Sequence, residues 1–420
     1  MRKAVILILS LTGACVAGYD ALSVFGEWMI GAYKAVLSPL QGSNVCNFQP
    51  TCSQFARGAI QSQGFLPGLL IGSDRLMRCN TLAWSYYDTY YYGEVISSRM
   101  PDPVANHVAW LRPPDEPGML ISTRVGDRSP ERLRGTRSIS DVSPFSALPG
   151  LDFADYLYSS GEYAQAGGEY LRVRFLSSQP ELSGYAGLMA GESYLRAGDF
   201  AQARRAFGDL SAPAVGDFRQ YGIARTDFAA ADYVGTRTAL GSITSPFLAR
   251  QARALDGWTF FRQHRFAEGA SRMNAIGSDD PSQYLTAMDG HDILRRSRFA
   301  STLLSAFVPG AGQLYSGRAG DGAYSFLTVA STGLVTWWFA SDLGKRDPTY
   351  VKVSIFGVIT ALFYAGNVYG ANTAARDYNL LQERRYVQRA DSLFKLMSLE
   401  PDYRALLDSV PADSLRPASE

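Results

Sequence analysis

The chain has 420 residues, 46% apolar and 19% charged, and its 40 basic and 39 acidic side chains leave a net charge of +1. That composition excludes global disorder and supplies no bulk field to attract nucleic acid. Three histidines (His107, His264, His291), none close to another, exclude a paired-histidine metal site on one helix, and four cysteines confined to Cys15, Cys46, Cys52 and Cys79 exclude a disulfide framework for most of the chain.

The first residues carry a short basic start, Met1-Arg2-Lys3, then an uncharged run from Ala4 to Ala17 with small residues at its end. This pattern predicts a signal peptide or N-terminal anchor over 1–18, because the apolar core is short for a full span. Residues 22–40 read as a helix ended by Ser38-Pro39, since the residue before proline avoids the α region. Ser53 is the expected N-cap of a second helix running to Gln63 and Gly64. A third helix is expected from about Gly68 to Cys79. Three readings of the cysteines stay open on spacing alone. A closed zinc site needs four ligands and no nearby histidine supplies the last, so no metal is assigned. Cys46 and Cys52 could form a disulfide in an exported chain. All three could be small residues buried in a helical unit.

Tyr33-Lys34, Leu37 to Leu40, Cys46, Phe48, Pro50-Thr51-Cys52-Ser53, Phe55-Ala56, Gly64, Gly68, Arg75-Leu76 and Arg78-Cys79 resemble the YidD family over residues 33–79. The resemblance implies a small helical domain at the cytoplasmic face of the bacterial inner membrane that assists insertase-dependent entry of new membrane proteins. It marks Cys46, Phe48, Pro50, Thr51, Cys52, Ser53, Arg75, Arg78 and Cys79 as motif residues. Four positions depart from the family pattern. Asn47 and Pro67 stand where basic residues are usual, Gln63 replaces a common histidine, and Asn80-Thr81 replaces a polar-residue-proline ending. Fewer basic residues weaken attachment to anionic lipid.

The aromatic run from Trp84 to Tyr92 suits either a membrane interface or the edge of this domain, which is expected to occupy 19–96. Residues 97–149 hold eight prolines, seven arginines and six acidic residues, and apolar periodicity disappears. They read as a disordered linker.

A repeat begins near residue 151. Gly161-Glu162-Tyr163-Ala164-Gln165-Ala166 matches Gly198-Asp199-Phe200-Ala201-Gln202-Ala203, with weaker echoes at Asp232-Tyr233 and Arg265-Phe266. A period near 34 resembles the tetratricopeptide (TPR) repeat and predicts a helical repeat domain over 150–290. Such a domain implies a protein partner, which fold alone does not identify.

Phe299 to Val308 is apolar and is broken by Pro309-Gly310-Ala311-Gly312-Gln313-Leu314-Tyr315-Ser316-Gly317-Arg318. Two uncharged runs follow, 322–341 and 353–375, each long enough to cross ~30 Å of hydrocarbon. They predict a membrane-embedded hairpin over 291–376. The segment resembles small bacterial membrane proteins with a Pro-Gly-x-Gly-Gln-(Leu/Phe)-Tyr signature, carried here by Pro309, Gly310, Gly312, Gln313, Tyr315 and Gly317. An amphipathic tail is expected over 377–420, either on the membrane surface or against the repeats.

The fold class expected is therefore all-α, in three parts: YidD-like, TPR-like and a transmembrane hairpin. No nucleophile elbow, metal-ligand motif, dinucleotide fingerprint or phosphate loop occurs, so neither enzymatic activity nor a cofactor is expected. The function implied is a membrane protein insertion efficiency factor, with membrane lipid, insertase machinery or nascent chains as partners and no nucleic acid. The alternative is an exported, membrane-anchored TPR scaffold. Basic residues flanking the hairpin slightly favour cytoplasmic soluble parts.

Overall fold

The computed structural model describes residues 23–24, 26, 30–31, 46–91, 93–110, 151–211, 215–274, 276, 280–341, 349–397 and 399–406. The expected signal or anchor at 1–18, linker residues 111–149, the polar turn at 345–348 and the tail beyond 406 lie outside them. In chain order the elements are β1 (Phe48–Gln49), α1 (Cys52–Gln63), α2 (Phe65–Arg78), α3 (Tyr87–Tyr90), β2 (Met100–Pro101), α4 (Leu151–Ser159), α5 (Tyr163–Leu176), α6 (Pro180–Ala197), α7 (Phe200–Gly208) and α8 (Gly216–Ala229). They continue with α9 (Tyr233–Leu240), α10 (Ala249–Arg262), α11 (Phe266–Asn274), α12 (Asp280–Ala287), α13 (Arg298–Phe307), α14 (Ala311–Tyr315), α15 (Ala319–Ser341) and α16 (Thr349–Leu396). The described residues are all-α apart from a two-residue parallel ladder, in which Phe48 lies opposite Met100, and one isolated bridge between Ile96 and Arg99.

The chain divides into two units. The first takes residues 1–115 and 293–384, and the second takes 116–292 and 385–420.

In the first unit, α1 starts earlier than expected. Thr51, not Ser53, is the N-cap, because the Gln54 side chain reaches back to accept from the Thr51 backbone N–H at 3.1 Å. Helix α2 also starts early, at Phe65. Gly64, at φ +85°, reverses the chain in one residue, so no longer loop is needed. The two helices pack closely at Gly68, where an added Cβ would lie 2.5 Å from the Ile60 backbone. The expected boundary at residue 96 falls too soon. Residues 99–110 are ordered, with Met100 and Asp102 donating backbone N–H groups to the carbonyls of Asn47 and Gln49, both at 2.9 Å. The first 14 residues assigned to the linker thus belong to the domain.

The Pro-Gly-x-Gly-Gln segment of the same unit forms the sharp turn between α13 and α15. Gly310 sits at φ +85°, and a Cβ there would lie 2.0 Å from the Gly322 carbonyl oxygen. Gln313 is buried. Its Nε2 donates to the Asn367 carbonyl at 3.0 Å, and its Oε1 accepts from Ser305 at 2.8 Å. The turn and α16 are therefore joined by a saturated polar network, which a buried amide requires. Tyr315 accepts the Ser297 backbone N–H at 3.3 Å, and Gly317 takes a left-handed conformation.

Among the described residues one helix, over Tyr350–Leu396, is long and apolar enough to cross a membrane. Its outward residues Val351, Ile355 and Val358 are exposed, as are Phe326, Leu334 and Trp337 on α15. The expected break at residue 376 is absent: α16 runs through it to Leu396.

In the second unit each of the four repeat anchors, Tyr163, Phe200, Tyr233 and Phe266, is the first residue of a helix. Asp199 and Asp232 cap α7 and α9, accepting from Gln202 and Gly235 at 3.0 and 2.9 Å. The end of α16 packs on these helices, as one of the two readings of the tail expected. Phe394 stacks on Trp258 with centroids 5.1 Å apart, and Asp391 accepts from the Trp258 indole at 2.6 Å.

Candidate functional site

The sequence motif of the first unit converges on two adjacent places. The first holds the three cysteines. Cys46 precedes β1, Cys52 opens α1 and Cys79 caps the C-terminus of α2. Their sulfurs lie within 4.8 Å of one another, with Cys46 at 3.3 Å from Cys52 and 3.6 Å from Cys79. All three are free thiols and half-buried. Hydrogen bonds from Cys52 and Cys79 pull the Cys46 thiol far below its ordinary value, while the Cys46 contact and burial push Cys52 up.

The second place is an ionic core. Arg75 and Arg78 lie on the buried face of α2, whose neighbour Phe55 comes from α1. Arg75 is fully buried. Its guanidinium sits 3.7 Å from the Phe48 ring centroid and 4.9 Å from that of Phe55, and its Nε lies 2.7 Å from Asp102 Oδ2. It also donates to the Pro50 carbonyl at 3.4 Å. Arg78 donates to Asp74 at 2.5 Å and to Nδ1 of His107. His107 Nε2 in turn donates to Asp102 Oδ1 at 2.5 Å. His107 is therefore the neutral tautomer with its proton on Nε2. Burial and the Arg78 charge push it down to about 4, and protonating Nδ1 would drive Arg78 away. Burial opposes ionisation of Asp102, but His107 and Arg75 outweigh it and hold the carboxyl well below the usual range. Burial raises Asp74 despite Arg78. Both ring nitrogens of His107 are engaged here, so it is not paired with Cys52 as a catalytic dyad.

This small domain is docked on the C-terminal helices of its own unit. Arg318, at the end of the Pro-Gly-x-Gly-Gln turn, is 1% exposed. Its Nε donates to Asp321 at 2.8 Å, its Nη1 to Asp377 at 3.4 Å and its Nη2 to the Tyr91 hydroxyl. Tyr86, Tyr90 and Tyr91 surround the guanidinium with centroids 5.7, 4.7 and 5.6 Å away. A second clamp lies along α16. Arg376 donates to the carbonyls of Val108 and Asn106, and the Tyr369 hydroxyl donates to the His107 carbonyl at 2.6 Å. Between the clamps α2 meets α16 at Gly366 and Gly370, where a Cβ would lie 2.1 Å from Ser73 Oγ and 2.0 Å from Asp74 Oδ1. Small residues four apart let the helices approach this closely.

Comparison with known proteins places the motif. The YidD family, described as "Putative membrane protein insertion efficiency factor", matches residues 23–91. A protein of that name from Aeromonas salmonicida (strain A449) is 45% identical over 60 residues, 14% of this chain and 72% of the relative. The chain belongs to the YidD family. Another member, from Syntrophobacter fumaroxidans, is 47% identical over 60 residues, 14% of this chain and 74% of its own. A third, from Acinetobacter baumannii (strain SDF), is 37% identical over 85 residues, 20% of this chain and 79% of the relative. No solved structure matches the chain.

Of the motif residues, Cys46, Cys52 and Cys79 meet at the sulfur cluster, and Phe48, Pro50 and Arg75 meet beside it. Ser53 is the one whose role is slight, with its hydroxyl 3.5 Å from that of Thr51. Sequence reasoning missed Asp102 and His107, the counter-groups of the motif arginines, because they fall in a proline-rich stretch. A signal existed: two buried arginines one helical turn apart demand acidic or acceptor partners. Arg318 is the residue that the tyrosine run of the YidD domain encloses. Two departures from the family pattern meet. Asn47 Nδ2 donates to the Asn80 carbonyl at 2.8 Å, and Asn80 Nδ2 reaches Asp321 at 3.2 Å.

Proposed function

We propose that this protein is a non-enzymatic accessory factor for insertion or assembly of bacterial inner-membrane proteins. In this reading the YidD domain carries the insertion role. Helices α13 to α16 hold it at the bilayer as a two-span hairpin, and the TPR-like repeats recruit a protein partner. The observation that supports it is the docking of the YidD domain on an apolar helix of the same unit through Arg318 and Arg376. A domain whose relatives are named insertion factors is thereby joined to its membrane element at fixed high local concentration. The departures Asn47 and Asn80 fit this reading, since direct contact with Asp321 replaces attachment through basic residues.

The test is complementation of a deletion strain. Test inner-membrane proteins are pulse-labelled and their insertion is read by protease protection. The full chain restores insertion, and the Arg318→Ala variant restores it less well. Insertion that is unchanged by deletion overturns the proposal. Trypsin treatment of intact spheroplasts sets the side. Cleavage among the arginines of 111–149 only after the membrane is opened agrees with the insertion role. Cleavage from outside moves the reading to the envelope scaffold.

A further inference from the structure

The three cysteines have a use that neither the spacing nor the family supplies. We propose that Cys46, Cys52 and Cys79 bind a thiophilic divalent cation of the zinc class through three thiolates, with water or an exogenous ligand as the fourth donor.

Four observations carry this. The first is geometry. Zn–S bonds of ~2.3 Å in a tetrahedron set sulfur–sulfur edges of about 3.8 Å. The two separations from Cys46, 3.3 and 3.6 Å, fall within about half an ångström of that edge, and all three sulfurs stay within 4.8 Å. The second is the donor set around the sulfurs. The Cys52 backbone N–H points to Cys46 Sγ at 3.3 Å, the Asn47 N–H to Cys79 Sγ at 3.5 Å, and Arg75 Nη1 to Cys52 Sγ at 3.6 Å. Each sulfur thus receives one N–H. Donors aimed at sulfur stabilise thiolates and orient metal ligands.

The third is charge. Asp74 and Asp102 already balance Arg78 and Arg75 next to the cluster. Three thiolates deprotonated on binding would therefore be offset by the ion itself, and a divalent ion leaves a net −1 where a monovalent one leaves −2. Among the described residues no histidine or carboxylate joins the sulfurs, so the ligand set is thiolate alone and selects a soft or borderline metal. The fourth is need. The apolar core here is small: Phe48, Tyr91, Met100 and Ala83 around the cysteines, and Phe55, Ala59, Ile71 and Val108 beyond them. Domains of this size commonly require a disulfide or a metal as a staple. An ion at this point would tie together the approach to β1, the first turn of α1 and the end of α2, three segments that are otherwise held to one another here by a few hydrogen bonds such as that from Asn47 Nδ2 to the Asn80 carbonyl.

The experiment uses the full chain purified in detergent under anaerobic reducing conditions. Cobalt(II) added to the metal-free chain should give the charge-transfer and ligand-field bands of thiolate-bound tetrahedral cobalt, saturating at one ion per chain, and zinc should displace it. Cys46→Ser, Cys52→Ser and Cys79→Ser should each abolish the stoichiometric spectrum. A Ser variant that fails to fold would do the same, so the wild-type chain supplies a second readout. Zinc should slow alkylation of Cys46, Cys52 and Cys79, mapped by peptide mass, and a chelator should restore it. Cobalt spectra without thiolate bands, or alkylation indifferent to zinc, overturn the proposal. So does a Cys46 disulfide in the chain as isolated.

Discussion

The YidD domain and the helices of the second unit mix charge and apolar packing in different proportions. In the YidD domain the largest buried side chain is an arginine, and five buried ionisable groups, Asp74, Arg75, Arg78, Asp102 and His107, hydrogen-bond one another. In the second unit the buried cluster is mainly alanine, leucine and tyrosine, with one buried ion pair, Arg225 with Glu192, beside it. There Phe207 fits a socket made by Gly191 and Gly222, and Leu210 one made by Gly187. The first arrangement is specific in geometry but intolerant of a missing partner. The second tolerates change in proportion to the volume removed. A domain too small for a large apolar core uses charges whose partners lie far apart in sequence, while the second unit packs helix against helix.

Breaking one ion pair should show the contrast most sharply. Arg75→Met leaves Asp102 buried with one partner fewer, which costs about 3–5 kcal/mol. Hydrogen exchange should rise across residues 46–110 and stay unchanged across 151–274. Next in size is the effect of pH. His107 falls from its ordinary 6.5 to about 4 in the folded chain. Between those values the unfolded chain binds a proton that the folded chain does not, so stability falls as the pH falls through the window. The loss is about 3 kcal/mol and levels off below the folded value. Asp74, whose folded value is raised, works in the opposite direction. Between pH 6.5 and about 4 the variant His107→Gln should lack the histidine's part of the slope in exchange rates of 46–110. In the repeats, Leu210→Ala should cost about 2–3 kcal/mol, read by exchange across α6 and α7. The smallest expected effect is at a cap. Asp199→Ala removes the acceptor for the Gln202 N–H and should cost ~1 kcal/mol, seen as fraying at the start of α7 alone.

The same contrast governs what was legible in the sequence. The helix starts at Tyr163, Phe200, Tyr233 and Phe266 show because their signal is local: a turn residue, then an aromatic. The Pro-Gly-x-Gly-Gln turn shows because its glycines answer to backbone contacts that no other residue permits. The motif Cys-Arg pattern shows as well, but its counter-groups do not. Asp102 and His107 take their order from side-chain bonds to α2, 24 or more residues away, and no propensity of their own marks them. Proline content made that strap look like linker. Thr51 displaced Ser53 as the cap for a similar reason, since the choice rests on where the Gln54 side chain turns.

Helix α16 has a consequence in length. Its 48 residues extend about 72 Å, more than twice the hydrocarbon thickness. The apolar stretch and the docking residues Gly366, Gly370 and Arg376 lie on one continuous rod. The distance of the docking face from the apolar stretch is thus a residue count, and so is its bearing. One residue inserted between 351 and 361 would lift the docking face by about 1.5 Å and swing it by about 100°. The rod acts as a gauge, and its phase matters as much as its length.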